Sequence, residues 1–162
     1  MTRSQPNQTQ ERLALSTYVK LMRAANSARG YAARSLGGTN LTLTQFAVLE
    51  ALYHLGPMSL SQIARKVLTT GGNLTMVVGN LEKLGLAKRQ RCPEDRRVLI
   101  VVLTAKGKTL IRDVFPKHAD AIAEFLGVLS SEEQECLGDL CRKLGKQSTG
   151  SACVTIGKTR FE

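Results

Sequence analysis

The side chains best suited to recognition chemistry crowd between positions 70 and 97. Thr70, Gly72, Asn73, Thr75, Met76, Asn80 and Lys83 come first, then Arg89, Arg91, Asp95, Arg96 and Arg97 on either side of Cys92-Pro93. An amide such as Asn73 offers the paired donor and acceptor that match an adenine edge. Thr75 suits a thymine methyl or a phosphate, and Met76 an apolar base edge. Gly71 and Gly72 permit close backbone approach. Thr69 and Thr70, with the unbonded amides of a helix starting there, suit a phosphate. This is the chemistry of non-covalent binding to a polyanion. Nothing in the chain resembles a Ser-His-Asp set, a pair of catalytic carboxylates or a Gly-rich phosphate loop, and His54 and His118 are the only histidines. An enzyme is therefore not expected, and neither is a cofactor. Cys92, Cys136, Cys141 and Cys153 make no repeated CxxC pattern, so no metal site is expected either.

The charge supports a binding face. Among 162 residues there are 23 Lys and Arg against 13 Asp and Glu, a net +10. Positions 59 to 108 hold ten of the basic residues and three acids, whereas 113 to 141 hold seven acids and only Lys117. Segregation of this kind attracts a polyanion on one face and leaves another for different use. With 43% hydrophobic residues a packed core is within reach, which excludes a wholly disordered basic tail. Aromatic residues are only 4%, too few for a sheet that stacks single-stranded bases. The longest apolar run, Val98 to Leu103, is far short of the roughly 20 residues needed to span a bilayer. The polar stretch from Met1 to Gln10 carries no export signal, so no membrane association and a cytoplasmic location are expected.

The elements that must hold these residues are legible in the periodicity. Leu15, Tyr18, Val19, Met22 and Ala25 recur at helical spacing between Glu11 and about Leu36, where Gly37-Gly38 ends the run. Thr42 with Gln45, Ser59 with Gln62 and Ser130 with Glu133 are capping boxes, placing helices at about 43 to 54, 60 to 68 and 131 to 145. Leu74, Val77, Val78, Leu81 and Leu84 mark another helix from Gly71, stopped by Gly85. The period then changes. Leu86 to Arg91 and Arg97 to Leu103 flank a turn-forming cluster and predict a β-hairpin with a basic tip. Thr104 caps a last long helix whose apolar stripe runs from Leu110 to Leu129, with Pro116 inside to bend it. Three helices followed by a hairpin, with the basic charge on the last helix and the hairpin, spell a winged helix-turn-helix. The expected class is mainly α with a small β-hairpin wing plus a helical dimerisation region. A helix fits the DNA major groove and a hairpin beside it reaches the neighbouring minor groove or backbone.

At this point the sequence resembles the MarR family of bacterial transcriptional regulators. The resemblance is carried by Leu43-Thr44-Gln45-Phe46-Ala47-Val48-Leu49, Leu74-Thr75, Leu81-Glu82-Lys83-Leu84-Gly85-Leu86 and Asp95-Arg96-Arg97. Val102-Leu103-Thr104-Ala105-Lys106-Gly107 completes it, and it covers about residues 11 to 145. It implies a homodimer that reads a palindromic double-stranded DNA operator as a regulator, most simply a repressor. The implied parts are a dimerisation helix at 1–36, the winged module at 37–108 and two dimerisation helices at 109–146, while residues 147–162, rich in Ser, Thr and Gly and without a period, read as a flexible tail. It also implies that Asp95 braces Arg97, which enters the minor groove, while Arg89, Arg91 and Arg96 read as phosphate contacts. Asp95 has a second reading as a turn residue that closes the hairpin. The alternative class is a winged-helix protein-interaction module without specific DNA binding.

The resemblance further implies a signal that alters the spacing of the two reading heads, and the residues offer two. A small aromatic effector would lie in a crevice lined by Tyr18, Met22, His54 and Phe115, each of which also reads as ordinary core. Thiol oxidation would act at Cys92, which lies among Arg89, Arg91, Arg96 and Arg97 but also next to Glu94 and Asp95. Cys141 shares a helix face with Leu137, Leu140 and Leu144 and reads as structural. His118, on the apolar stripe, reads as a satisfied interface histidine.

Overall fold

A computed structural model describes residues 8–67, 71–93, 95 and 97–147. Among these residues six helices and three short strands follow one another as α1 (Gln8–Arg34), α2 (Leu43–Leu55), β1 (Met58–Ser59), α3 (Leu60–Lys66), α4 (Gly71–Lys83), β2 (Ala87–Arg91), β3 (Leu99–Leu103), α5 (Ala105–Leu126) and α6 (Ser131–Gln147). The chain divides into two compact units, 1–123 and 124–162. No helix among the described residues is long and apolar enough to cross a membrane.

All three capping boxes form. Thr42 N–H donates to Gln45 Oε1 at 2.8 Å while Gln45 N–H donates back to Thr42 Oγ1 at 3.2 Å. Ser59 and Gln62 open α3 in the same way, and Ser130 and Glu133 open α6. Each box satisfies amides that a helix start leaves without partners. At the other end of α4, Gly85 takes φ +70, and its N–H bonds the Glu82 carbonyl while Leu86 N–H bonds that of Leu81. This pair of bonds is a Schellman cap, and the left-handed backbone it requires is where glycine is favoured.

The core of the first unit lies between α2, α3, α4, the sheet and the start of α5. Phe46, Leu49, Ile63, Leu74, Leu81, Val101 and Ile111 are its largest side chains almost wholly removed from water. α4 buries Leu74, Val77, Val78 and Leu81, the face expected from its period. α5 is fixed at its origin by Thr104, whose Oγ1 accepts from Gly107 N–H at 3.0 Å and donates to the Gly85 carbonyl at 2.7 Å. The helix continues through Pro116.

Several expectations need correction. The hairpin does not stand alone: β1 pairs with β3, giving an antiparallel sheet in the order β1-β3-β2, with Met58 opposite Val101. The second wing strand starts at Leu99 instead of Arg97, because Val98 N–H is held by the Asp95 carbonyl in the turn. α3 ends at Lys66 instead of Leu68, with Val67 N–H closing on the Ile63 carbonyl. In one copy of the chain Cys141 is exposed, as are Leu137, Leu140 and Leu144 of the same helix. The 27 residues of α1 include none that is buried.

Candidate nucleic-acid interface

The split of α4 into two faces builds the first half of the site. With Leu74, Val77, Val78 and Leu81 held in the core, Gly72, Asn73, Thr75, Met76, Asn80 and Lys83 are left exposed on the other side. Met76, a long apolar side chain on that face, is 62% exposed. Thr70 lies outside the described residues.

The wing builds the second half. β2 carries Lys88, Arg89, Gln90 and Arg91, paired in register with Val102, Val101, Ile100 and Leu99 of β3. Arg91, Asp95 and Arg97 are exposed, and Arg96 lies outside the described residues. Asp95 acts within the turn. Its Oδ1 accepts from the backbone N–H of Arg97 at 2.9 Å, its carbonyl accepts from Val98 N–H at 3.0 Å, and Cys92 N–H closes on the Val98 carbonyl. The bond that joins Asp95 to Arg97 thus runs through the backbone and not through the guanidinium.

Arg89 departs most from expectation. Its side chain is 26% exposed and turned inward to an ion pair with Glu82 at the end of α4, and its Nη2 donates to the Thr75 carbonyl at 3.1 Å. Charge alone marks it as a phosphate-binding residue. The missing signal is Glu82, seven residues earlier, which only the turn at Gly85 brings alongside.

The proposed effector residues are only partly brought together. His54 and Phe115 pack edge to face with ring centroids 4.7 Å apart. Tyr18 and Met22 are 60% and 42% exposed on α1. Two clefts among the described residues are lined by other side chains. The larger, about 690 Å³, lies between α3 and the wing and is bordered by Ser59, Gln62, Arg65, Gln90 and half-buried Cys92. A smaller one of about 310 Å³ is bordered by Leu52, Tyr53, Pro57, Leu103 and Lys108. His118 is satisfied within the chain: its Nδ1 lies 2.8 Å from Ser35 Oγ and its ring packs on Phe46 at 4.4 Å.

A helix whose exposed face is polar, set beside a basic hairpin on a three-helix scaffold, defines a winged-helix DNA-binding regulator, which is not an enzyme class. Known proteins agree with that class. The model of the MarR family matches residues 41–99. The HTH-type transcriptional regulator MhqR of Bacillus subtilis is 39% identical over 132 residues, covering 82% of this chain and 91% of that protein. BpsR of Bordetella bronchiseptica, whose DNA binding is regulated by 6-hydroxynicotinic acid, has a similar structure. Its TM-score is 0.71 at 26% identity, over 77% of this chain and 89% of that one. Sco3205 of Streptomyces coelicolor, a MarR family regulator solved in complex with DNA, shares the fold with a TM-score of 0.78 at 24% identity. That match covers 93% of this chain and 95% of the other. The chain belongs to the MarR family, and it is a transcriptional regulator that binds DNA.

Proposed function

We propose that the chain acts as a homodimeric repressor that grips a palindromic operator and leaves it when an effector binds. One observation carries the placement on DNA: α4 presents Asn73, Thr75, Met76, Asn80 and Lys83 on one exposed face, next to a wing that ends in Arg91 and Arg97. The helix enters the major groove and the wing tip the flanking minor groove, where a narrow A·T-rich groove attracts an arginine. The backbone bond from Asp95 fixes the turn from which Arg97 projects. Thr70 and Arg96 complete the expected DNA-binding set, while Arg91 and Lys83 meet phosphates.

The dimer follows from apolar surface that one copy leaves uncovered. α1 exposes Leu15, Tyr18, Val19 and Met22, and α6 exposes Leu137, Leu140 and Leu144. A second copy of the same chain is the partner that would cover them, with the two reading heads about one helical turn of DNA apart. For release, the aromatic effector is the favoured arm, since BpsR responds to an aromatic acid. Oxidation of Cys92 at the wing is the second. A regulator of this kind works beside the chromosome, in the cytoplasm.

The test is anisotropy of a labelled duplex from upstream of the protein's own gene against a scrambled duplex at about 150 mM salt, where non-specific binding is weak. It is repeated with salicylate and with peroxide. Selective binding released by salicylate supports the effector arm, and release by peroxide supports the thiol arm. Equal affinity for both duplexes, and no sequence enriched from a random DNA pool, would overturn the reading in favour of a protein-interaction module.

A further inference from the structure

Arg89 sits where a helix, a turn and a strand converge, and its bonds span α4. Its backbone N–H donates to Glu82 Oε1 at 2.7 Å, its Nη1 pairs with Oε2 of the same carboxylate, and its Nη2 reaches the Thr75 carbonyl. Thr75 and Glu82 lie seven residues apart, about 10 Å along the helix axis. One strand residue thus holds α4 both near its end and in the half that carries Asn73 and Met76. Both members of the pair are about three-quarters buried, at 26% and 29% exposure. At that depth an ion pair with matched geometry is screened less than one in open water, and the planar guanidinium fork fixes orientation as well as distance.

We propose that the Glu82–Arg89 clasp is a positioning device. It locks the angle between α4 and the wing, so that side chains of the helix and the arginines of the wing tip reach DNA in one pose. The inference rests on the DNA-binding placement proposed above. Arg89 then contributes to specificity without touching a phosphate, and Glu82, an acid beside a polyanion, is retained for what it holds.

The two accounts differ in sign. If only charge matters, Glu82→Gln removes a repulsive carboxylate and tightens binding to every duplex. The clasp predicts the reverse for the preferred duplex: affinity falls about tenfold, the size expected when a charge-assisted hydrogen bond is weakened. Affinity for a scrambled duplex holds or rises, because the released Arg89 is now available to phosphates. Arg89→Lys keeps the charge but loses the fork, and is expected to follow Glu82→Gln.

The experiment measures both affinities across a salt series for the wild-type chain, Glu82→Gln and Arg89→Lys, with circular dichroism melts confirming that each variant is folded. Arg89→Met is added for the slope. Were Arg89 to neutralise one phosphate in each protomer, its removal would lower the magnitude of the log K against log salt slope by about 1.8. The clasp leaves the slope unchanged while the ratio of specific to non-specific affinity drops. A merely structural role would lower the melting temperature without moving that ratio. Equal tightening on both duplexes in Glu82→Gln, or a reduced slope in Arg89→Met with the ratio intact, overturns the clasp alone. A wild-type chain that discriminates no duplex overturns the DNA placement first and the clasp with it.

Discussion

Replacing Gly107 with alanine tests how tightly the wing is joined to the start of α5. A Cβ at position 107 would lie 2.0 Å from the Leu86 carbonyl oxygen, 2.9 Å from its carbon and 3.3 Å from Leu103 Cδ2. Close C–H···O approaches begin at about 3.3 Å, so the two segments must part by more than about 1 Å. Leu86 is poorly placed to yield. Its carbonyl accepts from Thr104 N–H at 3.1 Å and its own N–H closes the α4 cap on Leu81. Overpacking costs about 1 to 3 kcal/mol, and each hydrogen bond stretched adds about 1 kcal/mol, so a loss of about 3 kcal/mol is expected. In a domain of this size that lowers Tm by roughly 10 °C. Gly79→Ala is the control, because a Cβ there meets nothing within 4 Å. In a helix interior it should stabilise by about 0.5 to 1 kcal/mol. The assay is urea unfolding followed by circular dichroism at one fixed protein concentration, since the apparent stability of the proposed dimer would depend on concentration. A Gly107→Ala variant within about 0.5 kcal/mol of wild type, inside ordinary surface-mutation scatter, would refute the packing argument.

Three further outcomes are expected. Arg97→Ala should weaken binding to the preferred duplex by about 1.5 kcal/mol and flatten the preference for A·T-rich flanks, read from a selected DNA pool. Unchanged flank preference would remove Arg97 from the minor groove. Asn73→Ala should relax base preference at one position per half-site by about 1 to 3 kcal/mol, and an unaltered preference matrix would assign base reading to another residue of α4. Met22→Lys places a charge on the uncovered face of α1, where it costs a lone chain little. Sedimentation should show a shift from twice the chain mass toward the chain mass, and a variant that still sediments as a dimer would move the interface elsewhere.

How much of the fold and site is legible in the sequence depends on how local each determinant is. The capping boxes of α2, α3 and α6 can be read directly because each is closed by two residues three apart, and the apolar period of α4 divides its faces as expected. β1 leaves no trace, since two residues have no period and their partners, Ile100 and Val101, come more than 40 positions later. Asp95 reads equally as brace or turn residue, and only the folded turn shows its carboxylate on the Arg97 amide. The Glu82–Arg89 pair is hidden because a charge count gives no partners. Tyr18 and Met22 group with His54 and Phe115 by residue type, yet only the latter two meet, because that meeting depends on how α2 and α5 pack.

The three-stranded sheet has a consequence for how the chain survives in concentrated solution. β3, Leu-Ile-Val-Val-Leu, is the kind of short, uncharged, β-prone segment that seeds cross-β aggregation, and it is the central strand. β1 covers it with only two residues, so the longer protection comes from β2, an edge strand reading Ala-Lys-Arg-Gln-Arg. Cations on an edge strand repel a second edge that would extend the sheet. The exposed Lys88 and Arg91 that give the wing its free charge therefore also act as gatekeepers against self-association. Neutralising them together to abolish DNA binding would remove that guard, so an insoluble wing variant would report aggregation and not a weakened grip on nucleic acid.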